Sequence, residues 1–430
     1  MPPSVFPTGV TRYDPERAHG CYVLFDGRNA DSFLIDMNGT VINRWPYSGF
    51  PVEMIDPDLV GGVRGRILAQ KEPGIFENET FIELDWDGSI VWEWGEKAPG
   101  GKARQVHDQA RLPNGNTLVL AGADRIVPRL SDRPVGDGAI YEVNPDGDIV
   151  WQWFCCDHLD ELGFTDEMLP FVFGDRSRPR RRVVALNNMA PLGPNKWYAA
   201  GDDRFHPDNI LIDDRDSNVI AIIARASGDV VWRIGPTHSS SYDFSKRESS
   251  RALPRPVDHT SGQHDAHMIA GGLPGAGNIL VFDNQGPAGH PQVNLEFQGG
   301  SRILEIDPVT MNVVWQYDGA SSGEQYWTFY SSFISSARRL PNGNTLICEG
   351  MHGRIFQVMP DGEIVWEYVN PHFAEAAGDA AADDAPNKWV FKGRRNWIYR
   401  AQPVPYSWAP EGTLHSEKEV VPPHLSEFRV

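Results

Sequence analysis

One short pattern constrains this chain more than any other feature: a glycine-bearing turn followed by (Ile/Val)-Val-Trp, repeated along its length. The copies are Asp87-Gly88-Ser89-Ile90-Val91-Trp92, Asp146-Gly147-Asp148-Ile149-Val150-Trp151, Gly228-Asp229-Val230-Val231-Trp232, Asn312-Val313-Val314-Trp315 and Asp361-Gly362-Glu363-Ile364-Val365-Trp366. A degenerate first copy reads Asn38-Gly39-Thr40-Val41-Ile42-Asn43-Arg44-Trp45. Six copies, roughly 64 residues apart on average, are the signature of radial repetition.

Strands precede most of these turns, as in Ser32-Phe33-Leu34-Ile35-Asp36 and Arg302-Ile303-Leu304-Glu305-Ile306-Asp307, and Asp-Gly or Asn-Gly between two such runs signals a hairpin. A further strand is opened by Leu112-Pro113-Asn114-Gly115-Asn116 and Leu340-Pro341-Asn342-Gly343-Asn344; Asn209-Ile210-Leu211-Ile212 and Asn278-Ile279-Leu280-Val281 fill the same slot. Each repeat is thus a sheet of three to four strands, too small to stand alone, and six packed face to face make an all-β, six-bladed propeller. The blades are expected at about 20–50, 64–96, 107–154, 184–234, 264–318 and 335–370, with 386–407 as a closing segment, all in one domain. Long inserts at 124–138, 154–183 and 236–262 are expected to form a wall or lid over one face, and 374–385 reads as a mobile acidic, Ala-rich loop.

Composition agrees: 14 Trp, 42 Gly and 34 Pro suit short strands and turns rather than long helices. A net charge of −19 disfavours nucleic acid and anionic membranes as partners. No apolar run approaches the roughly 18 residues of a membrane span. The four cysteines (Cys21, Cys155, Cys156, Cys348) have no disulfide or metal spacing, and no phosphate loop, serine elbow or zinc motif appears, so neither cofactor nor metal is expected. The first residues lack a secretion signal, so a cytoplasmic location is expected, or a periplasmic one if the chain is a processed form. A homodimer is compatible with all of this.

If the first strand of each blade lines the axis, His107-Asp108, His264-Asp265 and Ile334-Ser335-Ser336 converge on one mouth of the channel. A neutral imidazole is a nucleophile or base near pH 7, and an adjacent carboxylate can set its tautomer. The alternative is a channel histidine bonded to backbone carbonyls or water. Arg215 ends the first recognisable strand of blade four and suits an oxyanion, unless it pairs with Asp213, Asp214 or Asp216. His267 either faces the same cavity or sits inside the strand, and His206 before Pro207 either joins it or caps a strand. Arg178, Arg180, Arg181 and Arg182 read as a solvated loop.

From Tyr22-Val23-Leu24-Phe25 to the Asn344–Tyr368 repeat, the chain resembles the bacterial arylsulfate sulfotransferases, most specifically at Gly262-Gln263-His264-Asp265 followed by Asn278–Asn284. That resemblance implies that His264 is transiently sulfated, that His107 is a second active-site histidine and that Arg215 binds the sulfate. Members of the family carry a further histidine, in a His-x-Asn segment, near the start of blade four. Counting back from Arg215 puts Trp197 there, whereas a gapped alignment recruits His206 or Asn188. His206, His267, Asp265, Asn188, Trp197, Tyr326 and Tyr330 are accordingly expected to contact substrate, the aromatics by stacking on an aryl ring. The expected reaction is ping-pong sulfuryl transfer from an aryl sulfate to a phenol. A lyase abstracting a proton beside a carboxylate, and a non-enzymatic binding scaffold, are the alternatives.

Overall fold

The computed structural model describes residues 8–27, 31–72, 77–173, 186–236, 260–289, 300–374 and 395–422. Six antiparallel sheets stand in a ring, a six-bladed β-propeller. Their innermost strands are, in blade order, Ala401–Val404, Glu53–Met54, Gln105–Arg111, Leu186–Pro191, His264–Met268 and Ser336–Arg339. Blade one therefore joins the two ends of the chain, Ala401–Val404 pairing with Tyr22–Asp26. Blade six gains a fifth, outermost strand, Gly9–Tyr13, against Ile364–Val369.

The repeated tryptophan has a physical reason. Its side chain crosses to the neighbouring blade, and the indole N–H donates to a carbonyl of that blade's hairpin turn. In blades one to three a tryptophan two residues beyond the motif position does this: Trp45 reaches Asp85 O at 3.0 Å, Trp94 reaches Gly147 O at 3.1 Å and Trp153 reaches Gly228 O at 2.9 Å, while Trp92 of the motif itself reaches Pro145 O at 2.9 Å. Trp232 reaches Pro308 O at 2.7 Å, Trp315 reaches Pro360 O at 2.9 Å, and Trp366 closes the circle on Met37 O at 2.7 Å. The turn glycine is needed where it stands: Gly362 has φ +95°, and a Cβ there would sit 2.2 Å from Ser321 O.

Between adjacent blades lie six apolar clusters, the blade-three-to-four cluster also taking in Leu159, Phe164 and Met168 from the segment after blade three. A seventh, small cluster of Phe50, Ile334, Trp397 and Tyr399 lies apart from these interfaces, at one end of the inner strands.

The inner strands are also tied to one another. The Asp108 carboxylate accepts the Met189 N–H, the Asn188 amide donates to Ala266 O, Asp265 accepts Ala337 N–H, and Ser336 Oγ accepts Ala401 N–H. Gln402 exchanges two bonds with Met54, and Gln109 Nε2 donates to Pro51 O at 3.0 Å, completing the ring. These bonds put His107, Asn187, His264, Ser335 and Tyr399 in one slot, each just before the residue bonded to, or facing, the next blade.

Candidate active site

At that slot the inner strands of blades three, four and five each break register against their neighbours, between Val119 and Ala121, Leu186 and Asn188, and His264 and His267. Bulges of this kind turn a side chain away from its regular direction. His107 and Asp265 carry the local cost, with φ +56° and +59°.

His264 is only 4% exposed. Its Nδ1 lies 2.7 Å from Asn284 Oδ1 and 3.0 Å from Gly262 O, both acceptors, so Nδ1 carries the proton. Nε2 then holds the lone pair and accepts the Ile334 N–H at 3.0 Å. Burial, with the Arg215 charge next, pushes the imidazole down to about 3, against the two bonds at Nδ1. Asn284, not Asp265, sets the tautomer, which corrects the expectation from the His-Asp pair. Asp265 points away and accepts Ala337 N–H and an Arg338 Nη2 N–H.

His107, 7% exposed, lies against the aromatic cluster: its ring centroid is 5.5 Å from Phe50 and 6.0 Å from Tyr399. Tyr399 is the shared wall, with Phe50 at 3.9 Å and the His264 ring edge-on at 6.2 Å. Its hydroxyl donates to Asn187 O at 2.8 Å, and burial holds the phenol far above its ordinary value, so it stays protonated. Trp397 and Phe333 extend the apolar surface, their rings edge-on at 5.1 Å.

Beneath the mouth lies Arg400, the residue most clearly missed in the sequence. Its guanidinium grips Asp108 with two bonds of 2.9 Å and donates to Asn188 Oδ1 at 2.9 Å. Its Nε sits 3.0 Å from Asp265 Oδ1, close but off the hydrogen-bonding direction. One cation from blade one thus joins blades three, four and five. Asn188 also donates to Ala266 O, so of the three blade-four alternatives it is the one beside the histidine strand.

Glu53, in the blade-two inner strand, faces the same charges. Burial raises its carboxyl to about 7, Asp108 adding to the effect while Arg400, Arg338 and Arg111 oppose it. The folded state therefore holds a proton that the unfolded state releases at about 4.5, and the stability this carries is lost as pH rises through about 7. Glu53→Gln removes the charge and keeps the shape. Its thermal midpoint should match wild type near pH 4.5 and exceed it near pH 8, by of order 1–3 kcal/mol in unfolding free energy. Equal midpoints at both pH values would contradict this placement.

Arg215 follows the strand Ile210–Asp214, whose end lies at the mouth because Asp214 pairs with Leu186. The side chain is 24% exposed and binds Asp216 at 2.9 Å and Pro287 O at 3.3 Å. It flanks the histidine strand: a Cβ on Gly262 would lie 3.8 Å from Arg215 Nη2. Of its three acidic neighbours only Asp216 pairs with it, since Asp214 accepts the Ser217 hydroxyl and Asp213 the Ala266 N–H. His267 lies buried in the same strand as His264, Nδ1 2.8 Å from Asp265 O, and burial plus Arg338 keep it neutral.

The structure does not bring His206 or Trp197 to this mouth. Both lie in the loop joining Pro191 to Ile210, at the far end of strands that begin at Leu186 and finish at Asp214. Trp197 caps that rim, its indole donating to Gly277 O at 2.7 Å, and His206 accepts the Asp208 N–H at 3.2 Å. Tyr326 and Tyr330 are on the correct rim, in the segment between Tyr317 and Ser336, but Tyr326 is 50% exposed. Tyr330 is anchored through its N–H to Glu349 at 2.9 Å.

The 124–138 insert continues a blade-three hairpin, paired as far as Ile126 and Pro134, beyond the mouth. Arg125 ties it to Asp157, and Arg129 ties it to Asp160 and Asp166, which makes a wall on that side. Residues 174–183 and 237–259 of the other expected inserts, the 178–182 basic run, and 375–394 lie outside the described residues. Among the described residues no three His, Cys, Asp or Glu side chains stand together as metal ligands.

Comparison with known proteins gives two kinds of likeness. The family model described as Arylsulfotransferase (ASST) matches residues 18–368, most of the chain. None of the curated proteins compared matches it. Among solved structures, a protein of unknown function from Bacteroides caccae is similar at 13% identity, covering 90% of this chain and 99% of its own, with a TM-score of 0.49. A streptogramin B lyase aligns at 11% identity over 72% of this chain and 67% of its own, TM-score 0.35. Virginiamycin B lyase from Staphylococcus aureus aligns at 10% over 79% and 78%, TM-score 0.37. At these levels the structural likenesses carry no argument about chemistry.

Proposed function

The chain belongs to the arylsulfotransferase family, and from that premise we propose that it transfers a sulfuryl group from an aryl sulfate to a phenol by way of His264. The observation that carries this reading is the pair of histidines flanking one aromatic wall, the rings of His107 and His264 centred 6.0 and 6.2 Å from Tyr399, with Arg215 beside the second.

The aryl ring would lie against Phe50 and Tyr399, and Arg215 would hold the sulfonate oxygens. Nε2 of His264 bonds to sulfur as the S–O bond to the aryl oxygen breaks. The departing phenolate takes a proton from the His107 imidazolium. The N-sulfonated ring keeps its proton on Nδ1, held by Asn284 and Gly262 O. Neutral His107 then removes the proton of an incoming phenol, whose oxygen takes the sulfuryl group and frees His264. The sulfuryl group needs little covalent help beyond positioning and charge, as in phosphoryl transfer. A weakly basic imidazole is also a good leaving group, which suits an intermediate that must be emptied each turnover.

A proton-abstracting lyase draws less support. Tyr399, the other candidate base, is fixed as a hydrogen-bond donor to Asn187 O, and Nε2 of His264 is covered by the Ile334 N–H.

The test is rapid mixing with 4-nitrophenyl sulfate. A burst of nitrophenol matching the enzyme concentration, a gain of one sulfonate by intact mass and its release by added phenol are expected. No burst and no mass gain would end the proposal. Phe50→Ala should raise KM for this donor about tenfold, with a smaller change in kcat, because stacking contributes about 0.5–1.5 kcal/mol beyond burial. An unchanged KM would remove Phe50 from the donor site.

A further inference from the structure

The nitrogen that would attack sulfur is not bare. Nε2 of His264 holds the ring's lone pair, and that lone pair accepts the backbone N–H of Ile334 at 3.0 Å. The group that covers it is itself in a disfavoured conformation. Ile334 and Ser335 have φ +56° and +92°, two consecutive non-glycine residues in the left-handed region, one of them β-branched.

The surroundings impose this. Asn284 Nδ2 donates to Ser331 O at 2.7 Å and to Ile334 O at 2.8 Å, so one side chain fixes both the imidazole and the segment over it. Ser331 Oγ donates to Phe333 O at 2.8 Å and accepts the Met351 N–H at 3.2 Å. The Ser335 N–H donates to Tyr399 O at 2.9 Å. The Ile334 side chain lies on bare backbone, where a Cβ on Gly350 would come within 2.8 Å of Ile334 Cγ1.

We propose that the 331–335 segment is a displaceable cap: the Ile334 N–H closes Nε2 in the empty site and moves onto a sulfonate oxygen when a sulfate ester enters. The role rests on His264 being the nucleophile, as proposed above. The exchange keeps the hydrogen bond and improves it, since an anionic oxygen is a stronger acceptor than a neutral imidazole nitrogen. It also relaxes Ile334 from its left-handed conformation, so the cap stores part of its own release. Once moved, the N–H becomes a fixed donor to the charge on the sulfonate oxygens. Water, uncharged, offers no comparable acceptor, and the nucleophile stays covered until a sulfate ester is present.

The cap can be tested without turnover, by the rate at which diethyl pyrocarbonate modifies each histidine, read by peptide mass mapping. Exposed His206 sets the unhindered rate, and buried His267 in the same strand reports general loosening. His264 should react at least tenfold more slowly than His206. Ser331→Ala, which releases the segment without touching the imidazole, should speed His264 several-fold and leave His267 unchanged. Ile334→Gly keeps the N–H but removes the left-handed penalty, and should slow His264 about fivefold or more. If neither variant shifts His264 relative to His267, there is no cap, even if His264 is sulfated normally. If the rates shift as expected but no sulfonate ever appears on His264, the cap stands as a structural device and the nucleophile assignment is what fails.

Discussion

His264→Asn should abolish turnover, by at least about 10⁴-fold, and leave a folded propeller that gains no sulfonate on exposure to an aryl sulfate. Asparagine retains a side-chain amide in a slot where Asn284 and the Gly262 carbonyl already accept and the Ile334 N–H donates, so no buried group loses every partner. What it lacks is a lone pair able to bond to sulfur. The same burial predicts the pH response. Because His264 is pushed down to about 3, the single-turnover sulfation rate should show no acid limb near the ordinary histidine value of 6.5 that belongs to this residue. A His264→Asn protein that still gives a burst with 4-nitrophenyl sulfate would move the nucleophile elsewhere, His107 being the next imidazole.

Arg400→Leu should destabilise the fold by about 3–5 kcal/mol, a large part of the 5–15 kcal/mol that holds a protein together. The guanidinium compensates two buried carboxylates from different blades, Asp108 by a two-pronged bond and Asp265 at 3.0 Å. Removing it leaves Asp108 with backbone N–H donors alone, whereas Asp265 keeps Arg338. The loss should therefore be partly rescued by Asp108→Asn and less by Asp265→Asn. Arg400→Lys should fall between, since a point charge cannot reproduce the planar fork. Denaturant midpoints across these variants check the claim. A midpoint for Arg400→Leu equal to wild type would mean that the carboxylates find their donors elsewhere.

The blade count was legible because every blade's outer strand carries a tryptophan, at the motif position or two residues beyond it, that donates to the next blade's turn. His107 and His264 were legible because each sits beside an Asp that bonds the neighbouring blade. The meaning of that Asp was not. A strand pattern suggests a carboxylate supporting its histidine, while the bulge turns the two apart. Trp197 and His206 were misplaced for a geometric reason. Counting residues back from Arg215 ignores that the chain travels down one strand and up the next, and five residues of strand span about 17 Å. Tyr399 and Arg400 carried no repeat motif, because the inner strand of blade one follows all six copies of the pattern. An arginine next to an aromatic, Tyr399-Arg400, just before the closing strand, was the available signal.

The joining of the chain's ends in blade one has a consequence in time. As the polypeptide leaves the ribosome, the outer strands of blade one, from Tyr22 onward, are made first and their inner partner, Ala401–Val404, comes after every other blade. At roughly 5–20 residues per second that interval is on the order of tens of seconds. Tyr399 and Arg400 arrive with the same strand. No nascent chain can hold the two histidines against their aromatic wall before Ala401–Val404 has been made and the circle shuts.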